Sequence, residues 1–149
     1  MQAQMLAPAA ILVAWSLVML FWMAKTRFPA IAKSGMDIAN AKPGGRGQDL
    51  EGVLPDEVNW KAHNYAHLME QPTIFYAAVV IIALMGANGF DVLAAWIYVA
   101  LRIIHSIWQA TKNVIKVRLL LFQLSTFALV YLAIRAIALT LFADPGVLA

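Results

Sequence analysis

The sequence contains no cysteine and few charged residues. The absence of cysteine excludes disulfide bonds, thiolate metal sites and a cysteine nucleophile. Only 13% of the residues are charged, whereas 62% are hydrophobic. Soluble domains carry about 25% charged and about 45–50% apolar residues, so this composition predicts an integral membrane protein. A chain of 149 residues has room for one domain, which we take to extend over residues 1–149.

Long apolar runs predict four membrane-spanning helices. Each run has about the 20 residues needed to cross the hydrocarbon core of a bilayer. The spans lie at about 6–24, 63–85, 92–111 and 119–142, and a polar loop occupies about 25–62. Proline and glycine recur in this loop, which is typical of a flexible connector. The predicted fold class is therefore all-α, an integral membrane four-helix bundle.

The positive charges predict the orientation of the bundle. Lysine and arginine outside the spans lie in the long loop and after the third span, at Lys25, Arg27, Lys33, Lys42, Arg46, Lys61, Lys112, Lys116 and Arg118. Four spans place these two segments on the same side of the membrane. Because cytoplasmic segments are enriched in basic residues, we expect a cytoplasmic first loop and both termini outside. This topology accounts for the net charge of +3 without a nucleic-acid partner.

Several ionisable side chains fall within the predicted spans. His63, His67 and Glu70 are spaced to share one stripe of a helix. Glu70 and Arg102 both lie about 10–13 Å inside the cytoplasmic ends of their spans, at about 1.5 Å per residue. We therefore predict a Glu70–Arg102 ion pair with histidines, including His105, on its cytoplasmic side. The pair would either belong to a ligand site or only fix helix register, and both readings favour an oligomer that shields it from lipid.

The ends of the spans carry their own signals. Asp91 is predicted to be the N-cap residue of the third span. Arg135 lies near the outer end of the fourth span, and we expect its side chain to extend to the interface. Ser34 and Gly35 are predicted to interrupt an interfacial extension of the first helix. Residues 144–146, with the sequence Asp-Pro-Gly, are predicted to end the fourth helix.

The second and third spans resemble the MAPEG family, the membrane-associated proteins in eicosanoid and glutathione metabolism. The signature of the family's second helix is similar to Arg-x-x-x-Asn-x-x-Glu-x-x-x-x-Phe, and Glu70 and Phe75 match its last two positions. His63 stands in the place of the arginine and His67 in that of the asparagine. The third span resembles the family at Arg102 and His105. A later arginine of the family occurs at two spacings from the residue matched by Arg102; the longer spacing corresponds to Arg118 and the shorter one to Lys116. The sequences of these segments resemble the bacterial branch of the family more closely than its eukaryotic enzymes.

The resemblance implies a homotrimer with active sites at its subunit interfaces, most simply in a bacterial inner membrane. It implies a glutathione-dependent transferase or peroxidase that takes small hydrophobic electrophiles from the lipid bilayer, with glutathione as co-substrate. By the resemblance, Arg118 or Lys116 stabilises the thiolate, since a fixed cation lowers a thiol pKa. Arg102 and the three histidines would bind anionic groups, and Glu70 would bind the amino group of glutathione or pair with Arg102. Histidine holds a carboxylate less firmly than an arginine fork.

Two other classes of function are compatible with these residues. His63 and His67, with Glu70 and His105, have the residue types of a metal site, although a single His-x-x-x-His pair is weak evidence for one. A non-catalytic protein that binds lipid or another subunit is the second alternative, since the family contains such a member.

Overall fold

A computed structural model describes residues 1–37 and 39–143 of the chain. The helices are α1 (Gln2–Lys33), a short 3₁₀ helix (Gly47–Leu50), α2 (Asp56–Leu68), α3 (Gln71–Met85), α4 (Gly89–Thr111) and α5 (Ile115–Leu141). Four helical segments are long and apolar enough to cross a membrane, with α2 and α3 together forming one of them. The chain is therefore an all-helical integral membrane protein, as its composition predicts.

The first helix continues well beyond the predicted end of the first span. α1 has 32 residues, or about 48 Å at about 1.5 Å per residue, so its last turns extend past a hydrocarbon core of about 30 Å. It ends at Lys33, followed by Ser34 and by Gly35 with φ +74°, where we predicted an interruption. Residues 25–33, which we assigned to the loop, are therefore helical.

The loop is tied to this extension of α1. Arg27 donates a hydrogen bond from Nη2 to the carbonyl oxygen of Gly47. A Cβ atom on Gly47 would lie 3.1 Å from Arg27 Nη1, so a larger residue there would push the guanidinium away. Part of the predicted connector is thus a 3₁₀ helix held against α1.

The second span is broken in its middle. α2 begins at Asp56, seven residues before the predicted start of the span, and ends at Leu68. α3 begins at Gln71, with Pro72 in its first turn. The break follows from Pro72, because its ring lacks an N–H and clashes with the carbonyl four residues earlier.

The turn between α3 and α4 is closed by a capping box. Asn88, and not Asp91 as we predicted, is the N-cap residue of α4; its side chain accepts from the backbone N–H of Phe90 and Asp91. Asp91 is fully buried and accepts from the phenol of Tyr131 at 2.7 Å. Arg135 Nε lies 3.4 Å from the same carboxylate, which belongs to the first turn of α4. Buried carboxylates require such partners.

The fourth helix begins earlier than predicted. α5 starts at Ile115, so Lys116 and Arg118 lie in its first turn and not in a separate basic segment. Its helical residues end at Leu141, and the predicted stop at residues 144–146 lies outside the described residues.

The four segments pack into one bundle, in which α4 contacts α1, α2 and α5. Its buried face carries a stacked pair between Phe75 of α3 and Tyr98, with ring centroids 4.3 Å apart. Nearer the end of α4, the Ser106 hydroxyl accepts hydrogen bonds from Trp15 Nε1 at 2.9 Å and Asn64 Nδ2 at 2.8 Å. These three side chains join α1, α2 and α4.

Candidate functional site

A buried arginine anchors the site at the break of the second span. Arg102 lies on α4 and is fully buried. Its Nη2 atom donates to the carbonyl oxygen of His67 at 3.0 Å and lies 3.2 Å from His67 Nδ1. In an unbroken helix this carbonyl would accept from the backbone N–H of Gln71, which instead begins α3. Arg102 therefore satisfies a carbonyl that the break deprives of its helical partner.

Two aromatic rings contact this arginine, and a third is stacked on one of them. The imidazoles of His67 and His105 are stacked, with centroids 5.1 Å apart and planes inclined by 20°. The ring of Phe122 on α5 lies 5.5 Å from that of His67 and 5.8 Å from Arg102 Cζ. A guanidinium over an aromatic face is stabilised by cation–π attraction. We call these four residues, His67, Arg102, His105 and Phe122, the ring cluster.

Glu70 lies at the edge of the ring cluster and points outward. It is the N-cap residue of α3, and its side chain is 67% exposed, with Oε2 3.9 Å from His67 Nε2. Within the described part of the chain it forms no ion pair with Arg102, so the predicted pair is wrong for a single subunit. The prediction used depth along the helices, whereas the direction of each side chain around its helix axis decides which groups meet.

A cavity of about 190 Å³ lies beside the ring cluster. Its lining consists of His67, His105, Ile115, Arg118, Leu119 and Phe122. Arg118 is half-buried, and its Nη1 donates to Asn113 Oδ1 at 2.5 Å. Asn113 has a left-handed φ of 53°, which asparagine tolerates better than most residues. The turn between α4 and α5 thus holds a guanidinium in a cavity that also contains two imidazoles.

A second cavity of about 420 Å³ lies between the end of α1, the 3₁₀ helix and α2. We call it the loop cavity; its lining consists of Arg27, Arg46, Gly47, Gln48, Glu51, Ala62, His63 and Ala66. His63 Nε2 lies 2.8 Å from Glu51 Oε1, and the two side chains are 46% and 53% exposed. A contact between side chains as exposed as these contributes little stability.

The predicted site residues therefore fall into two groups. His67, Arg102 and His105 lie together with Arg118 near Glu70, whereas His63 lines the loop cavity. Lys116 is exposed and outside the lining described for either cavity. Across residues 1–37 and 39–143, no three His, Cys, Asp or Glu side chains converge as metal ligands would, so nothing in the geometry favours the metal alternative.

Sequence reasoning missed four residues that shape these cavities: Arg27, Arg46, Glu51 and Asn113. The first three fell in a segment that we assigned to a flexible connector. Arg27 could have been identified if the first helix had been predicted to continue past its apolar run. In that case Arg27 lies on α1, next to the start of α2. Asn113 had none, because its role depends on a backbone conformation that the sequence does not dictate.

Comparison with known protein families shows a match to the MAPEG family over residues 5–138. The matched region covers most of each helical span and all the residues that line the two cavities described above. No curated protein and no solved structure matches the chain.

Proposed function

The chain belongs to the MAPEG family, and we propose that it is a membrane-embedded, glutathione-dependent transferase or peroxidase acting on small hydrophobic electrophiles. The family includes such enzymes as well as non-catalytic members. The observation that carries the proposal is the cavity in which the Arg118 guanidinium and the His67 and His105 imidazoles share one wall with apolar side chains. A cationic group beside an apolar surface suits a reaction between a thiolate and a hydrophobic electrophile.

The proposed glutathione molecule would use charged residues from both cavities. Arg118 would stabilise the thiolate, because a cation within a few ångströms favours the ionised thiol. The exposed Glu70 carboxylate would accept the ammonium of the γ-glutamyl residue. The two carboxylates of glutathione would bind to Arg27 and Arg46 in the loop cavity, with His63 as a further donor. Charge-assisted hydrogen bonds of this kind are about twice as strong as neutral ones.

The assembly that we propose is a homotrimer with one such site at each subunit interface. In a single subunit, Glu70 is an exposed carboxylate within a membrane-spanning segment. A charge at that depth is costly unless it faces water or protein, so a neighbouring subunit supplies a physical reason for its position. We further propose that the trimer lies in a bacterial inner membrane, with both termini outside and the first loop cytoplasmic. Nine Lys and Arg residues on the loop side support this orientation.

The chemistry that we propose begins with loss of the thiol proton to water. In the transferase reaction, the thiolate attacks an electrophilic carbon, a carbon–sulfur bond forms, and the leaving group departs with the bond's electron pair. In the peroxidase reaction, two glutathione molecules reduce a hydroperoxide to an alcohol and water and are oxidised to the disulfide. Leu119, Ile115 and Phe122 would contact the electrophile as it enters from lipid.

The proposal is tested by isothermal titration of glutathione into the purified protein in lipid nanodiscs. We expect binding heat that is reduced by Glu70→Gln and by Arg27→Gln. Gln48→Ala serves as a matched control, because Gln48 lines the same cavity without a charge. Conjugation of chlorodinitrobenzene then distinguishes an enzyme from a binding protein.

Absence of binding heat at millimolar glutathione, together with absence of thermal protection, would contradict the proposal. It would favour the non-catalytic alternative, in which the protein binds lipid or another subunit. Glu51 gives this alternative a structural basis, because its carboxylate occupies the side of His63 that a ligand carboxylate would need.

A further inference from the structure

Arg102 is the largest fully buried side chain in the described chain, and it does not line the cavity next to it. Its contacts run to the backbone and ring of His67 and to the face of Phe122. Both His67 and Phe122 do line the cavity. Arg102 therefore stands behind the cavity wall and reaches a ligand only through the residues in front of it.

The two hydrogen bonds from Nη2 have a consequence for the chemistry of His67. A guanidinium nitrogen is always a donor and never an acceptor, and Nη2 carries two protons. One proton is directed to the carbonyl oxygen of His67 and the other to Nδ1, at 3.0 and 3.2 Å. Nδ1 must then be the bare, accepting nitrogen of the imidazole, and in a neutral ring the proton lies on Nε2.

The edge of the ring that carries this proton faces the outer part of the site. Nε2 of His67 is 3.9 Å from the exposed carboxylate of Glu70, too far for a direct hydrogen bond but close enough for a shared ligand or water. His105 covers one face of the ring, and Phe122 is tilted against it. The imidazole is therefore fixed in position as well as in tautomer.

We infer that Arg102 is a positioning residue: it closes the C-terminal end of α2 and holds His67 in the tautomer that presents its Nε2–H as a donor. His67 then acts as a neutral hydrogen-bond donor to an anionic or carbonyl oxygen of the ligand. This differs from the prediction that Arg102 itself binds an anion. The role of His67 toward a ligand rests on the proposed function, whereas the hydrogen bonds and the tautomer do not.

The chain is well suited to a direct test, because it contains only three histidines. Protein labelled with ¹⁵N-histidine in nanodiscs gives three imidazole spin systems, and single His63→Gln and His105→Gln variants assign them. We expect His67 in the parent to show a protonated Nε2 and a bare Nδ1 that is shifted by an accepted hydrogen bond. A parent spectrum with the proton on Nδ1, or with both nitrogens protonated near neutral pH, would overturn the inference without any further variant.

Substitutions at Arg102 then separate positioning from general packing. In Arg102→Met, the Nδ1 resonance should lose its hydrogen-bond shift, and a second tautomer should appear. Arg102→Lys keeps a donor, so it should restore part of the parent signal. Arg118→Gln is the matched control, since it removes a cation from the cavity without touching Nδ1, and it should leave the His67 tautomer unchanged. A folded Arg102→Met variant with a parent-like Nδ1, or equal effects of Arg118→Gln and Arg102→Met, would refute the role of Arg102.

Addition of glutathione to the same sample distinguishes this inference from the proposed function. Movement of the Nε2–H resonance on saturation would support a contact between His67 and the ligand. The expected tautomer with no response to glutathione would contradict the proposed function and leave the inference on Arg102 standing. A response to glutathione in a protein whose His67 carries its proton on Nδ1 would support the proposed function and refute the inference on Arg102.

Discussion

The thiolate-stabilising cation is the part of the proposed mechanism that a pair of substitutions tests most directly. Arg118 and Lys116 lie two residues apart at the start of α5, so their side chains diverge by about 200° around the helix axis. Arg118 is half-buried and lines the cavity, whereas Lys116 is exposed. We therefore predict that Arg118→Ala impairs glutathione conjugation and that Lys116→Ala, which removes the same charge from the same turn, has little effect.

The size of the effect follows from the position of the guanidinium. A cation within about 4–6 Å lowers the pKa of an acid by about 1–3 units, and the partial exposure of Arg118 favours the lower half of that range. Loss of Arg118 should therefore raise the thiol pKa of bound glutathione by about 1–2 units. The thiolate fraction below both pKa values falls about 10- to 100-fold, but a more basic thiolate is more nucleophilic, with a Brønsted coefficient of about 0.4–0.5. The net loss of rate near neutral pH is then about 3- to 15-fold.

The assay is the ultraviolet absorbance of the bound thiolate, titrated against pH and compared with the rate of conjugation over the same range. Both curves should move to higher pH in Arg118→Ala, so the rate deficit should shrink as the pH rises. Asn113→Gly is a useful third variant, because it removes the hydrogen bond to Arg118 while glycine tolerates the left-handed backbone. It should give a smaller shift in the same direction. An unchanged titration curve in Arg118→Ala, or a larger shift in Lys116→Ala, would refute the assignment.

Three further predictions concern the assembly and the fold. Native mass spectrometry of the detergent-solubilised protein should show a trimer, and mainly monomer would remove the basis for interfacial sites. Because the chain has no cysteine, single cysteines at Gly45 and Gln2 report topology: Gly45→Cys should be labelled only from the cytoplasm and Gln2→Cys only from outside, and the reverse pattern would invert the orientation. Tyr131→Phe removes a hydrogen bond of 2.7 Å to the buried Asp91 and should lower the free energy of unfolding by about 1.5–3 kcal/mol in a steric-trapping assay. An equal loss when the same substitution is made in an Asp91→Asn background would show that the two groups are not coupled.

Most of the architecture could be predicted because it depends on properties that are local in the sequence. Apolar runs long enough to cross a bilayer predict helices wherever they occur, and glycine or asparagine between them predicts turns. The errors lie at boundaries. α1 continues to Lys33 and α2 begins at Asp56, since amphipathic ends of a helix are stabilised by contacts with the loop rather than by hydropathy. Pro72 is itself a sequence signal for the break of the second span, because proline interrupts the backbone hydrogen bonds of a helix.

The candidate site was predicted less completely, for a geometric reason. The residue types and depths brought His67, Arg102, His105 and Arg118 into consideration, and the structure places these four near one another. The partner of Arg102 was wrong, because depth along a helix does not give direction around it. The loop cavity was missed, because Arg27 and Glu51 line one cavity only when the loop folds back on α1 and α2.

The amino-acid sequence alone predicts that this protein crosses a membrane with four helices and that most of the ionisable groups within its spans lie toward one end of the bundle. The reason is that a bilayer imposes the same length and apolarity on every span, whatever the neighbours are. Three pairings follow from the way the helices pack: Arg102 binds the backbone of His67, Glu70 faces outward, and Asp91 contacts Tyr131 and Arg135. Each of these pairings depends on the rotation of one helix against another and on the break at Pro72, which together determine which polar groups can reach each other away from water.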